Sequence, residues 1–181
     1  MRYLFASDLH GSYRFGRELM EAFEREKADK LVLLGDLLYH GARNDLPEEY
    51  DTKALTALLN HYKDSILAVR GNCDAEIDQM VLEFPMMGDY IQLYADGHDF
   101  LVTHGHLFNE HSMIPHAPGT VLVHGHTHVK AAMKLGDIWY LNPGSVTMPK
   151  DDDKHSYLIY ENNRFTFKEL SGNVISTFEL K

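Results

Sequence analysis

Short, wholly apolar runs alternate with longer amphipathic stretches in the first part of the chain. Tyr3–Ser7, Leu31–Leu34 and Ile66–Val69 each read as a buried strand, since none shows the polar alternation of a half-exposed one. Between the first two, residues 12–27 carry Phe15, Leu19, Ala22 and Phe23 on one helical face. Asp51 is placed to cap a second helix reaching about Tyr62, with Leu55, Leu58 and Leu59 inward. Later the pattern changes. Tyr90–Tyr94 and Phe100–Thr103 flank the turn signal Asp96-Gly97, Thr120–Val123 is another buried run, and Gly136-Asp137 joins two short strands. Asn162-Asn163 is expected to turn the last hairpin. This order predicts an α/β chain, a single domain over residues 1–181, built as two facing mixed sheets covered by helices. Trp139 and the Phe15–Phe23 stripe are expected in the core.

Composition then removes whole classes of function. A hydrophobic fraction of 44% with 24% charged residues is ordinary for a globular chain and leaves no case for disorder. The net charge of -10, with no cluster of Lys and Arg, argues against general nucleic-acid binding. An acidic protein that handles phosphate must attract it locally, and bound cations invert the local field. The only cysteine, Cys73, excludes an intrachain disulfide and fits a reducing compartment. Met1 to Asp8 reads as a strand rather than a signal peptide, and no run approaches the ~18 apolar residues that cross a bilayer. A cytoplasmic location without a membrane partner is the expectation.

Chemistry-bearing residues sit where the apolar runs stop: Asp8-Leu9-His10-Gly11, Gly35-Asp36, Gly71-Asn72-Cys73-Asp74, His104-Gly105-His106 and Gly125-His126-Thr127-His128. Sites in α/β sheets gather beyond the carboxyl ends of strands, and glycines there suit tight turns and close backbone approach. Singly, each signal is weak. Asp-x-His is commonplace, Gly-Asp or Gly-Asn is more often a turn, and His126 with His128 alone would read as a solvated face. All five, each at an apolar strand end, point to one site. Carboxylate, amide and imidazole ligands suit Mn, Fe, Zn or similar divalent ions, and the chain has no paired thiolates for a structural zinc cage. Six or seven ligands exceed the needs of one tetrahedral ion. Two ions are therefore expected, roughly 3.5–4 Å apart and sharing a carboxylate, for which Asp36 is the candidate.

This ordered set resembles the calcineurin-like metallophosphoesterase family, and the match runs from Asp8 to Ser145. The resemblance implies a four-layer αββα sandwich of two mixed sheets flanked by helices. It implies one ion held by Asp8, His10, Asp36 and His128, and a second by Asp36, Asn72, His104 and His126, with Asp36 bridging. Many members carry His after the Gly-Asn, where it protonates the leaving group or stabilises the transition state; here that position is Cys73. A small branch, the bacterial YfcE-type phosphodiesterases, also reads Gly-Asn-Cys-Asp. This chain resembles that branch in size, in His40-Gly41-Ala42-Arg43-Asn44 and in Asn142-Pro143-Gly144-Ser145. The likeness favours a small phosphodiester over a monoester as substrate.

The expected mechanism is in-line attack on phosphorus by a hydroxide bridging two ions, Mn2+ foremost, with Fe, Zn, Ni or Mg as alternatives. Asp36 and Asn72 are its candidate core; the proton for the leaving group is the open point. His106, two residues beyond His104, is the candidate acid and equally a polar loop residue, while Cys73 is a candidate reactive thiol that a strand end more often simply buries. Arg43 and Asn44 are candidate phosphate binders against plain surface solvation, and His40 a candidate cleft residue against a flexible loop. Residues 142–145 would close the pocket wall or turn the chain. His124 is expected to support the site from behind, and His61, His98, His111, His116 and His155 to lie on the surface. Phe165 and Phe167 in the late hairpins fit a homodimer or homotetramer. The alternatives are a phosphomonoesterase, a dinucleoside-polyphosphate hydrolase, or a metal-dependent scaffold on the same fold. The complete ligand set argues against the scaffold.

Overall fold

The computed structural model describes residues 1–150 and 152–180. A first sheet runs in the order β11 (Val174–Glu179), β10 (Arg164–Glu169), β9 (Ser156–Glu161), β1 (Tyr3–Ala6), β2 (Lys30–Leu33) and β3 (Ile66–Ala68). Strands β1, β2 and β3 are parallel, and β9 lies antiparallel to β1. The second sheet runs β4 (Tyr90–Ala95), β5 (His98–Thr103), β6 (Val121–Val123), β8 (Ile138–Pro143) and β7 (Lys130–Leu135), with β5, β6 and β8 parallel. Both sheets are mixed, as predicted.

Strand β1 shows why its sequence has no polar alternation. Tyr3 and Phe5 point into the core between the sheets, packed with Val32, Phe100, Val123, Tyr160 and Phe165. Leu4 and Ala6 point the other way, into a core under the helices with Phe15, Leu19, Leu55 and Leu59. Both faces are covered, so both must be apolar. Each fully buried Leu or Phe contributes about 1.5–3 kcal/mol to that packing. Helix α1 (Tyr13–Glu26) starts where Ser12 accepts from Phe15 N, and α2 (Thr52–His61) where Asp51 accepts from Ala54 N.

Several expectations change. A short helix, α3 (Glu76–Val81), follows β3. On the outer face of the second sheet, Leu101, Leu122, Ile138 and Tyr140 are covered by Met113 and Ile114, which belong to no helix. Asn162 and Asn163, both left-handed, turn β9 into β10, and a further hairpin leads through Gly172 to β11. Polar, half-exposed β11 gave no apolar run to signal it. Trp139 is only half-buried, its ring against Phe178 and under Lys134, because it ends the core rather than fills it. Phe165 and Phe167 lie inside, between the sheets, and offer no surface to a second copy.

Candidate metal centre

The connections leaving β1, β2, β3, β5 and β6 bring their polar residues together at the carboxyl ends of these strands. Asp8 (φ 61°), His10 (47°), Asp36 (55°), His126 (66°) and His128 (61°) all hold left-handed backbone. Few residues other than glycine adopt it, and clusters of such residues mark functional loops. Bonds between loops hold these turns: Asp8 N donates to Gly35 O at 3.2 Å, His10 N to Asp36 O at 2.9 Å, and Gly125 N to His104 O at 3.0 Å. Two glycines are dictated by close approach. A Cβ at Gly71 would lie 2.1 Å from Asp36 Oδ1, and one at Gly125 would lie 1.8 Å from Ser7 Oγ.

The side chains then converge. Asp8 Oδ1 lies 3.2 Å from His128 Nε2 and 3.7 Å from His10 Nε2. Asp36 Oδ2 lies 3.7 Å from His10 Nε2 and 3.5 Å from His104 Nε2. His104 Nε2 is 3.1 Å from Asn72 Oδ1 and 3.2 Å from His126 Nδ1. Three rings are oriented from behind: Nδ1 of His10 donates to Tyr39 O (2.9 Å), that of His104 to Leu34 O (2.6 Å) and that of His128 to Met148 O (2.7 Å). A carbonyl oxygen only accepts, so the proton sits on Nδ1 and each Nε2 turns a lone pair inward.

The carboxylates are arranged alike. Asp8 Oδ2 accepts from His126 N at 3.1 Å, and Asp36 Oδ1 from Cys73 N at 2.8 Å, which leaves the other oxygen of each facing the imidazoles. Asp8 is fully buried, yet its Oδ1 receives no hydrogen bond. Burial works against its charge; a protonated His128 at 3.2 Å, with the other imidazoles, would hold Asp8 well below the usual carboxylate range, and with each Nε2 deprotonated that stabilisation falls to cations instead. Burial and then His104 push His126 down, and burial with His104 and His126 does the same to His106. Lone pairs and carboxylate oxygens this close repel one another unless cations lie among them. The donor set fits divalent ions. Asp8, His10 and His128 form one group within reach of a common ion; Asp8, Asp36 and His104 form another, and His10, Asp36 and Cys73 a third.

All seven proposed ligands thus meet. Arg43 and Asn44 line the adjoining cleft of 860 Å³ with Asn72 and Cys73. His40 sits behind that wall, its ring edge-on to Tyr39 and Tyr50, while its carbonyl accepts from Asn44 Nδ2 at 2.7 Å. His106 flanks the ligands, its ring 5.3 Å from His104 and 6.3 Å from His126. The Cys73 thiol is half-buried; burial and then Asp36 push it up to about 12, so it stays protonated. His124 supports the site from behind as expected, Nε2 against Glu110 at 2.8 Å and Nδ1 against Gly125 O. Residues 142–145 are neither pocket wall nor free turn. Asn142 Nδ2 donates to Gly125 O and Ser145 Oγ to Asp8 O, so the segment braces two ligand loops. His155 is packed rather than on the surface, stacked on Phe15 at 4.0 Å.

Sequence reasoning missed three residues. Asp74 accepts from Asp36 N, Leu37 N and Gly71 N, clamping two ligand loops together, and burial pushes its carboxyl up to about 6. It was visible two positions past Asn72, but its partners lie in another loop. Glu110 holds His124, and Lys150 lines the cleft. Neither sits at a strand end, so no pattern marked them.

Carboxylate, amide and imidazole donors gathered at strand ends in a two-sheet sandwich define the class of a metal-dependent phosphoesterase. The chain belongs to the calcineurin-like phosphoesterase superfamily, whose domain profile matches residues 1–164. That family implies divalent metal ions. The chain is 42% identical over 163 residues to Phosphodiesterase YfcE of Escherichia coli K12, a match covering 90% of this chain and 89% of that one. The solved structure of E. coli YfcE, described as a phosphoesterase, superposes with a TM-score of 0.96 at 38% identity, with 100% of both chains covered. Vps29 of Entamoeba histolytica, solved with Zn2+, superposes at 0.64 and 17% identity over 100% of both chains, a likeness of fold alone. Among the described residues, no helix is long and apolar enough to cross a membrane.

Proposed function

We propose that this chain is a phosphoric diester hydrolase that works with two divalent ions, Mn2+ foremost, as a single domain in the cytoplasm. The observation that carries the reading is Asp8 Oδ1, a buried carboxylate oxygen without a hydrogen bond, turned toward inward-facing imidazole lone pairs. Asp8, His10, Asp36 and His128 would hold one ion, and Asp36, Asn72, His104 and His126 the other. Support for Asp36 as the shared ligand is its Oδ2, which lies between His10 and His104 at 3.7 and 3.5 Å. When bound, such ions would supply an acidified water as nucleophile and positive charge for the phosphoryl oxygens.

The chain's own residues do the rest. Cys73 N and His126 N fix the two carboxylates, so their ligand oxygens need no reorganisation. Arg43, Asn44 and Lys150 present donors to the phosphate from the cleft. A thiol with a pKa near 12 and a flanking His106 held neutral are weak acids for a leaving alkoxide. That favours diesters whose leaving group departs with little protonation. The test is to strip the protein with chelator and assay a bis-aryl phosphate diester with Mn2+, Zn2+, Mg2+ or nothing added. Activity that returns with metal, and is lost in Asp36→Asn, supports the reading. Metal binding without diester turnover sinks it.

A further inference from the structure

Beside the metal cleft lies a second depression of about 500 Å³. Its walls are Leu38 and Tyr39 from the loop after β2, Tyr50, Thr56 on α2, and Ile77 and Val81 on α3. Only two of its lining residues are charged. Asp78 is engaged by Ala75 N at 2.8 Å, and Lys53 stands exposed at the rim. The depression therefore has an apolar, aromatic character, set apart from a cleft lined mainly by His, Asp, Asn, Arg and Lys side chains. It also leaves apolar surface in water: Ile77 is 62% exposed, Val81 47% and Tyr39 42%. Contiguous apolar surface at a polar site is relieved by a ligand that covers it.

Two residues join the depression to the metal ligands. Tyr39 lines both spaces, and its carbonyl accepts the His10 Nδ1 proton at 2.9 Å. Cys73 also lines both, and its N donates to Asp36 Oδ1 at 2.8 Å. A substituent on a phosphorus atom seated among the ligands thus has an adjoining apolar space. The Tyr39 and Tyr50 rings are held around the His40 ring, with centroids 4.7 and 5.4 Å away, which gives that space a preset aromatic wall. The remaining substrate-facing groups of the cleft, Arg43, Asn44 and Lys150, are polar and suit the anion. We propose that the depression is a subsite for an aromatic ester arm of the substrate. The proposal rests on the phosphodiesterase reading and names its substrate class: diesters carrying at least one aryl group.

Two phosphinate anions that cannot be hydrolysed share a head group and differ only in their arms. Calorimetric titration of the Mn2+-loaded protein with diphenylphosphinate and dimethylphosphinate therefore isolates the arm. Burial of one ring should make the diphenyl compound bind about 30-fold more tightly. Thr56→Trp, which fills the depression from α2, and Ile77→Asp, which charges its wall, should each bring the ratio to within about threefold. A ratio near one in the unaltered protein overturns the subsite. So does a ratio preserved in both variants, since the ring then binds elsewhere. A change of molecular mass by light scattering in Ile77→Asp also overturns it, because the depression is then a contact between copies. The titration needs no turnover, so a protein that binds with this preference yet hydrolyses no diester refutes the phosphodiesterase reading alone.

Discussion

Two buried carboxylates, Asp8 and Glu26, are built on opposite principles. Glu26, 5% exposed on α1, is answered by the chain itself. Its Oε1 receives Tyr157 OH at 2.8 Å and Lys168 Nζ at 2.6 Å, and its Oε2 receives Arg2 at 2.8 Å. These bonds tie α1 to the strand ends of the first sheet, and both oxygens of the carboxylate are answered. Asp8 is buried as deeply, but its free oxygen meets only lone pairs. A structural ion cluster closes on itself, because leaving a buried charge unpaired is expensive. A cluster left open, on loops of left-handed backbone, is suited to cations from outside the chain. That contrast distinguishes the candidate ligands from the scaffold without reference to any relative.

The largest test acts on the open cluster. Asp36→Asn should lower diester hydrolysis by at least about a thousandfold, equivalent to about 4 kcal/mol of transition-state stabilisation. In metal-free protein the same change should leave the melting temperature unchanged or higher, since it removes a charge from a repulsive group. A metal-free protein that melts earlier would put Asp36 in the same structural category as Glu26. Metal itself is the next lever. Mn2+ at 100 times its Kd should add about 2.7 kcal/mol to the free energy of unfolding. Asp8→Asn should abolish that gain in urea titrations, whereas Glu26→Gln should keep it.

The closed cluster should respond in reverse. Glu26→Ala leaves Lys168, Arg2 and Tyr157 without their acceptor and should cost about 2 kcal/mol of stability, because both cations are partly exposed and recover some solvation. Its kcat with saturating metal should match the parent protein at temperatures where both are folded. A fall in kcat with stability intact would mean that α1 communicates with the ligand loops.

Much of the open cluster was legible in the sequence because its candidate ligands are local. Asp8 with His10 and His126 with His128 each sit two residues apart at the end of an apolar run, so strand ends alone picked them out. The parallel strands were legible for the same reason: burial on both faces writes an uninterrupted apolar run. What escaped depends on contacts distant in sequence. Asp74 clamps Asp36 and Leu37 from another loop, and Glu110 reaches His124 across 14 residues. Glu26 looked like any polar residue on an amphipathic helix, because Lys168 and Tyr157 arrive from strands more than a hundred residues away. Trp139 was misjudged since size suggests burial, whereas position in the sheet decides it.

The smallest effect is also the most discriminating, because two carboxylates should titrate in opposite senses. At Glu26, burial works against the charge, but Lys168, Tyr157 and Arg2 outweigh it and lower the pKa from its ordinary 4.5. A depressed native pKa stabilises the fold above the unfolded value, and that contribution is lost as pH falls through the native one. The stability advantage of the parent protein over Glu26→Gln should therefore shrink below pH 4.5. At Asp74 the native pKa is raised from 3.8 to about 6, chiefly by burial. The folded protein then binds that proton more tightly than the unfolded chain, so stability relative to Asp74→Asn should fall as pH rises from 3.8 to about 6. Urea unfolding of metal-free protein across this range reads both slopes at once. Parallel slopes would mean that Asp74 is as fully answered by its three backbone donors as Glu26 is by its cations, and the division between open and closed clusters would then stop at the ligands themselves.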